Sequence, residues 1–220
     1  MAYIKNIGII VKLLRKEVSS FQKPMSTEIS EKTHDPFKVL VSCILSLRTR
    51  DTITYPISNR LFAVADTPKK IKDLPLKKLQ EIIRPVNYYK TKSRRIKEIS
   101  KALLENYHGN VPNTFDELMS FKGVGRKTAN IVMVYGFGSR HHIPVDTHVH
   151  RIPNRLGWVK TKTPEQTEEA LKQIIPQKYW SDINDLLVMH GQNICQPISP
   201  WCSKCLIKAY CKRIGVKKSR

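Results

Sequence analysis

The amino-acid sequence predicts an all-α protein of about ten helices. Apolar residues recur at the three- and four-residue spacing that buries one face of a helix, as at Ile7, Val11 and Leu14. No segment shows sustained alternation of apolar and polar residues, and no Asn-Gly or Asp-Gly pair indicates a β-hairpin. Signals for helix starts recur along the chain instead, so we expect a compact helical protein with short loops.

These signals place the helices in order. His34-Asp35-Pro36 breaks the chain before a nearly all-apolar segment that is typical of a buried helix. Pro56 predicts a kink or a late start in the next helix. Prolines after Thr67 and Leu74 suit a first helical position, and Thr114 and Thr163 each begin a capping box. The longer predicted helices cover residues 4–18, 37–47, 52–65, 91–107 and 178–190.

The charge balance indicates a polyanionic partner. The 220 residues include 39 Lys and Arg against 18 Asp and Glu, a formal net charge of +21. A compact body with this charge repels itself, and nucleic acid is favoured as its partner over an anionic membrane. Most of the excess lies in residues 69–101, with a net +9, and in residues 203–220, with a net +7. We expect these two segments to follow DNA phosphates.

Several classes of protein are excluded. The longest apolar run is too short to span a bilayer. The N-terminus lacks the pattern of a secretory signal, and clustered cysteines in a reducing compartment more often bind metal than form disulfides. We therefore expect a cytoplasmic protein that binds no membrane and, in a prokaryote, associates with the nucleoid.

Residues 118–131 combine two short helices with a glycine-containing turn. Glycine allows a positive φ and a close approach of the backbone to a ligand, and the amides at a helix N-terminus bind anions. A plain helix–turn–helix corner is the simpler interpretation. The flanking apolar residues favour a helix-hairpin-helix motif that contacts DNA phosphates through four successive residues. These residues are Gly123, Val124, Gly125 and Arg126.

Lys127 and Asp146 are the candidate catalytic residues. Lys127 lies in the first turn of the helix after the hairpin, where the helix dipole and Arg126 favour the neutral amine that a nucleophile requires. A lysine that binds phosphate is the alternative. Asp146 suits a helix N-cap and is also able to assist an amine nucleophile, and these two roles are compatible.

Four of the five cysteines lie within 17 residues near the C-terminus. Thiolates at this density can converge on one metal centre. Structural zinc commonly uses two Cys-x2-Cys pairs, of which this segment has one, whereas iron–sulfur clusters accept unequal spacings. The spacing favours a cluster and leaves zinc open. The four candidate ligands are Cys195, Cys202, Cys205 and Cys211.

Three motifs together resemble the endonuclease III family, a DNA glycosylase/AP lyase branch of the helix-hairpin-helix glycosylase superfamily. They are Gly-Val-Gly-Arg-Lys-Thr-Ala at 123–129, Val-Asp-Thr-His at 145–148, and the cysteines separated by six, two and five residues. The resemblance covers nearly the whole chain. It implies the two-domain helix-hairpin-helix glycosylase fold, with a helical barrel domain over residues 34–139. Residues 1–33 and 140–220 would form the second domain, whose C-terminal loop holds a [4Fe-4S] cluster on the four cysteines.

The resemblance also implies the chemistry. Lys127 is the nucleophile that attacks C1′ of a flipped nucleotide, and Asp146 is its electrostatic and acid–base partner. The expected protein is a monomeric base excision repair glycosylase that acts on damaged double-stranded DNA. It removes oxidised pyrimidines such as thymine glycol and cleaves abasic sites by β-elimination.

The chain departs from the family pattern at three places. Where the family commonly has a glutamine that fills the gap left by the flipped nucleotide, this chain has Arg48. A second wedge residue is usually leucine, and Tyr88 is aligned with it. The loop between the first two cysteines is usually basic but carries no charge here, so we expect the basic tail after Cys211 to contact DNA in its place.

Other functions stay open at this stage. The superfamily includes mismatch and 8-oxoguanine glycosylases, and one sequence does not define the pocket that selects the base. The chain could also be an iron–sulfur DNA-binding module without catalysis. The combination of Lys127 with Asp146 argues against such a module, because binding alone needs no carboxylate facing DNA.

Overall fold

The structure is a computed structural model that describes residues 4–220. Within this range the chain forms twelve α-helices and no strand. The helices are α1 Ile7–Val18, α2 Met25–Thr33, α3 Pro36–Ser46, α4 Asp51–Val64, α5 Pro68–Asp73, α6 Leu76–Ile82, α7 Tyr89–Asn106, α8 Phe115–Ser120, α9 Arg126–Ile131, α10 Thr147–Leu156, α11 Pro164–Ile174 and α12 Trp180–Asn193. A π-helical turn at Val132–Gly136 continues α9.

The chain divides into two compact units. One, here called the hairpin unit, is Met25–Gly138, and the other, the cysteine unit, combines the residues up to Pro24 with Ser139–Arg220. The first boundary lies nine residues before the expected position, because α2 packs against α3 and the π-helical turn. The sequence did not predict α2, in which Met25, Thr27 and Ile29 are the buried residues.

Helix α3 is the centre of the hairpin unit. It begins where Oδ1 of Asp35 accepts hydrogen bonds from the amides of Phe37 and Lys38, at 2.9 and 3.4 Å, and Pro36 occupies its first position. Residues 39–45 are all buried, and α3 contacts α2, α4, α7, α9 and the π-helical turn. The predicted buried helix is therefore confirmed, and its burial stabilises the core against which the hairpin packs.

Local signals predict most helix starts correctly and fail at two prolines. The Oγ1 atoms of Thr114 and Thr163 accept hydrogen bonds from the amides three residues later, at 3.4 and 3.3 Å. Helix α4 begins at Asp51 and contains Pro56 in its interior, so the prediction of a late start is wrong. Pro75 is the N-cap of α6 rather than its first residue.

In the cysteine unit, α1 and α10 both pack against α12. Helix α1 buries Ile7, Val11, Leu14 and Val18, which are part of the stripe expected from their spacing, together with Ile10. None of the helices within residues 4–220 combines the length and apolarity that crossing a bilayer requires.

Candidate functional site

The hairpin turn joins α8 to α9 and is held by apolar anchors. Leu118 is fully buried, Phe121 and Val124 are nearly so, and the amide of Val124 donates to the carbonyl of Phe121 at 2.9 Å. Because this amide and the side chain of Val124 are both used within the fold, Val124 serves as an anchor of the turn.

The two glycines of the turn have different roles. Gly123 has a φ of +93°, a conformation that side-chain-bearing residues rarely adopt, and a Cβ there would lie 2.9 Å from Cδ and Nε of Arg95. Gly125 has an extended backbone with φ −103° and caps α9, and a Cβ there would meet nothing within 4 Å. The fold requires glycine at 123, whereas at 125 glycine keeps the approach to the helix N-terminus open.

Lys127 is exposed at the second position of α9. The first backbone bond of the helix runs from the amide of Ala129 to the carbonyl of Gly125 at 2.9 Å, so the amides before Ala129 have no acceptor within the helix. Arg126 lies over the ring of Phe115, with its guanidinium carbon 5.2 Å from the ring centroid. An exposed amine therefore lies in the first turn of α9, directly after the hairpin turn.

Cys43 lies near Lys127 within the hairpin unit but is a core residue. Its side chain is 4 % exposed in α3. Burial raises the pKa of the Cys43 thiol to about 12, against a smaller opposite effect of the Lys127 charge. The thiol stays protonated and is not a second nucleophile.

Asp146 belongs to the cysteine unit, where it is the N-cap of α10. Its Oδ1 accepts hydrogen bonds from the amides of His148 and Val149 at 2.8 and 2.9 Å. Both hydrogen bonds are accepted by Oδ1, so the cap fixes the carboxylate without involving Oδ2. The capping role predicted from the sequence is confirmed and is compatible with a chemical role.

Arg48 and Tyr88 lie in the hairpin unit, on two loops that are joined by hydrogen bonds. Both are exposed and have positive φ angles, of 54° and 58°. Asn87, next to Tyr88, donates from Nδ2 to the carbonyl of Arg48 at 2.7 Å and from its amide to Oγ1 of Thr49 at 3.2 Å. The two predicted wedge residues are therefore neighbours in space.

The four clustered cysteines line one pocket in the cysteine unit. Arg155 donates to the carbonyls of Gln196 and Pro197, at 2.7 and 2.6 Å, and lies 3.5 Å from Sγ of Cys195. Burial opposes ionisation of Cys195, but hydrogen bonds from His190 and Arg155 outweigh it and lower the pKa of this thiol. Burial raises the pKa of Cys211, and the charges of the other three cysteines act in the same direction.

A buried ion pair connects the N-terminal helix to this cavity. Nδ1 of His190 contacts Oε2 of Glu17, and the two side chains are 2 % and 5 % exposed. Oε1 of Glu17 accepts a hydrogen bond from the amide of Leu206 at 2.7 Å. Burial disfavours protonation of His190, but its bonds to Cys195, Cys205 and Glu17 prevail and raise its pKa to about 11. Glu17, His190 and Cys205 also place three potential metal-ligand atoms close together.

The end of the described chain packs on the uncharged loop between Cys195 and Cys202. The amide and Nε of Arg220 donate to the carbonyls of Pro200 and Ser199, at 2.8 and 2.9 Å, and its guanidinium lies 4.0 Å from the centroid of the Trp201 ring. Lys204 lies over the same ring at 4.5 Å. Basic side chains from outside the loop thus supply positive charge next to it.

Two lysines of the basic segment 69–101 are not available to phosphates. Nζ of Lys92 and Nζ of Lys97 each donate three hydrogen bonds, to backbone carbonyls and, for Lys92, also to a hydroxyl. Sequence reasoning missed Lys92, although it lies on the apolar stripe formed with Ile96, Ile99 and Leu103. His190 similarly interrupts the apolar face of α12. A polar residue on an apolar stripe was the available signal in both cases.

Known proteins similar to this chain act on DNA. The profile of the HhH-GPD superfamily base excision DNA repair proteins matches residues 41–177. Endonuclease III of Thermotoga maritima is 46 % identical over 204 residues, which cover 93 % of this chain and 92 % of that protein. Endonuclease III-like protein 1 of Mus musculus is 41 % identical over 177 residues, which cover 80 % of this chain but only 59 % of the longer mouse protein.

A solved structure has the same fold over nearly the whole chain. It is a trapped endonuclease III–DNA covalent intermediate, described as an estranged-adenine complex. Its TM-score is 0.84 at 31 % sequence identity, and the alignment covers 97 % of both chains.

Proposed function

The chain belongs to the endonuclease III family of helix-hairpin-helix base excision repair proteins, and from this premise we propose the substrate, the catalytic residues and the cofactor of this enzyme. As a member of this family, the chain is a DNA glycosylase with AP lyase activity. As substrates we propose oxidised pyrimidines such as thymine glycol, together with abasic sites. The observation that carries the proposal is the exposed Lys127 beside the open turn at Gly125.

Base flipping precedes the chemistry. A stacked duplex hides the glycosidic bond, so the damaged nucleotide is rotated out of the helix, and weak pairing or stacking of a damaged base lowers the free energy this requires. The amides that begin α9 bind a backbone phosphate and fix the duplex in register. Arg48 and Tyr88 enter the gap, where an arginine is able to donate hydrogen bonds to the orphaned base.

Lys127 then acts as the nucleophile. Its neutral amine attacks C1′ of the sugar, the bond from C1′ to the base breaks, and the base leaves with that electron pair and takes up a proton. Asp146 accepts the proton that the amine loses and stabilises positive charge that develops on the sugar. Its fixed carboxylate needs no reorganisation during this step because the N-cap holds Oδ1.

Strand cleavage follows from the covalent intermediate. The bond from C1′ to the ring oxygen then breaks, that oxygen takes up a proton, and the nitrogen lone pair of Lys127 forms an iminium to C1′. This iminium makes the C2′ proton acidic. Loss of this proton breaks the C3′–oxygen bond, so the phosphate leaves on the 3′ side of the lesion. Water finally hydrolyses the iminium and restores the lysine.

The cysteine centre fits a [4Fe-4S] cluster. Four thiol groups surround one cavity, and His190 and Arg155 bring hydrogen-bond donors to thiol sulfur there, as expected around an anionic thiolate centre. Cys195, Cys202, Cys205 and Cys211 would hold the cluster. When bound, the cluster supplies a rigid cross-link for the C-terminal loop and takes no part in bond cleavage.

Colour and metal content test the cofactor. The purified protein is expected to be brown, to absorb near ~400 nm and to contain iron and sulfide, and Cys202→Ser is expected to lose this absorbance. Colourless protein with stoichiometric zinc would reject the cluster.

Incision assays test the substrate. Duplexes that carry thymine glycol, uracil, 8-oxoguanine, an abasic site or a mismatch are incubated with wild-type protein and with Lys127→Gln. We expect incision at thymine glycol and at the abasic site, and none by the variant. Preferential incision at 8-oxoguanine or at a mismatch would assign the chain to another specificity of the superfamily. We place this activity in the cytoplasm, and in a prokaryote at the nucleoid.

A further inference from the structure

Arg48 and Tyr88 hold unusual backbone conformations on exposed loops. Their φ angles of 54° and 58° lie in the left-handed region, which non-glycine residues occupy only when their surroundings fix them. Tyr88 is 63 % exposed, and Leu47, which precedes Arg48, is 37 % exposed. The packing of these side chains therefore does not hold the loops, and other groups must do so.

Lys92 is the group that holds the first loop. Its side chain is buried, and its Nζ donates to the carbonyls of Leu45 and Leu47 at 2.7 and 2.6 Å and to Oγ1 of Thr49 at 3.2 Å. The three acceptors include the residues on both sides of Arg48. An ammonium group has three N–H bonds, and each has an oxygen acceptor here.

Asn87 connects this loop to the second one. It bonds the carbonyl of Arg48 through its side chain and Oγ1 of Thr49 through its amide. Thr49 thus receives hydrogen bonds from both Lys92 and Asn87. Tyr88 follows Asn87 directly, so the backbone of each exposed residue is anchored to the same network.

We propose that Lys92 is a positioning residue that, with Asn87 and Thr49, holds Arg48 and Tyr88 ready as a paired wedge for the gap in the DNA. This inference rests on the proposed gap-filling role of those two residues. A wedge that is ordered before binding loses less conformational entropy on entering the duplex than one that is ordered by DNA. Lys92 touches neither the substrate nor the reacting atoms in this role.

Lys97 provides a matched control five residues further along α7. Its Nζ donates to the carbonyls of Ile71 and Lys72, at 3.3 and 2.7 Å, and to that of Leu74. Lys92→Met and Lys97→Met therefore each remove one charge and three hydrogen bonds to the ends of neighbouring segments. Only Lys92→Met releases the loops that carry the wedge.

The experiment measures binding to a duplex with a tetrahydrofuran abasic analogue opposite 2-aminopurine. Wild-type protein is expected to change the 2-aminopurine fluorescence by entering the gap. We expect Lys92→Met to raise Kd about tenfold and to reduce the fluorescence change, and Lys97→Met to retain both. Thermal unfolding of both variants shows how much of any loss reflects stability, and Asn87→Ala and Thr49→Val test the same network if Lys92→Met fails to fold.

A double-mutant cycle tests whether Lys92 acts through the wedge. In the Arg48→Ala/Tyr88→Ala background, Lys92→Met is expected to cause no further loss of affinity. Additive losses would overturn the positioning role. So would wild-type binding by Lys92→Met if the Arg48→Ala/Tyr88→Ala variant, here called the wedge variant, binds weakly. Normal binding and fluorescence with the wedge variant would instead refute the gap-filling role of Arg48 and Tyr88, and the positioning role with it.

Discussion

The two glycines of the hairpin provide the sharpest test of how the turn works. We predict that Gly125→Ala leaves the fold intact and weakens DNA binding, whereas Gly123→Ala destabilises the fold. At 125 the new methyl group points into open space and the backbone is extended. It meets no protein atom but stands where a phosphate would approach the amides of α9.

The magnitudes follow from the local geometry. At 123, a side chain at φ +93° costs about 1–2 kcal/mol of the free energy of unfolding. Displacing Arg95 from its 2.7 Å ion pair with Glu98 adds a few tenths of a kcal/mol, since exposed ion pairs contribute about 0.2–1 kcal/mol. At 125, the weaker N-cap and the lower entropy of the unfolded chain offset each other to within about 0.5 kcal/mol. Loss of an amide–phosphate bond there weakens binding by about 1.5–3 kcal/mol, which is tenfold or more.

Thermal unfolding and DNA binding at physiological salt separate the two effects. Gly123→Ala is expected to lower Tm by several degrees, on the order of 2–4 °C per kcal/mol for a chain of this size. Gly125→Ala is expected to keep the wild-type Tm while its Kd rises. Wild-type affinity in Gly125→Ala would refute the proposed phosphate contact, and a Tm as low as that of Gly123→Ala would refute the distinction between the glycines.

Three further predictions concern charge, protonation and reactivity. First, Kd for duplex DNA rises steeply with salt, and a plot of log Kd against log salt concentration has a slope of about 0.9 per contacted phosphate. Lys217→Gln/Lys218→Gln is expected to reduce this slope. An unchanged slope would show that the basic tail does not contact DNA. Second, burial lowers the pKa of Lys92 from 10.5 to about 8, so the unfolded chain binds more protons between these values. The difference in the free energy of unfolding between wild type and Lys92→Met therefore grows in favour of wild type from pH 8 to 10.5, by at most about 1.4 kcal/mol per pH unit. If this difference does not change with pH, the prediction is wrong. Third, iodoacetamide at pH 8 leaves Cys43 unmodified in the folded protein, and rapid labelling of Cys43 detected by mass spectrometry would contradict its burial.

Local chemistry made part of the structure predictable. The predicted caps at Thr114 and Thr163 are short-range hydrogen bonds between residues three apart, and the sequence contains both partners. The motif of Lys127, the proposed nucleophile, and the cysteine spacing were recognisable for the same reason, since each is contiguous or nearly so.

Long-range pairing was not predictable from the sequence. Glu17 meets His190 across 173 positions of sequence, and Lys92 reaches Leu45 across 47. The sequence also did not distinguish Gly123 from Gly125, because their φ angles follow from how Phe121 and Val124 anchor the turn. Such features depend on which segments the core brings together.

Borohydride trapping on an abasic duplex tests the central claim most directly. Reduction of the iminium between Lys127 and C1′ is expected to give a stable protein–DNA adduct with wild-type protein. Lys127→Gln, which keeps a polar side chain at the same exposed position, is expected to give no adduct while still binding the duplex. Robust trapping by Lys127→Gln would contradict the assignment of Lys127 as the nucleophile.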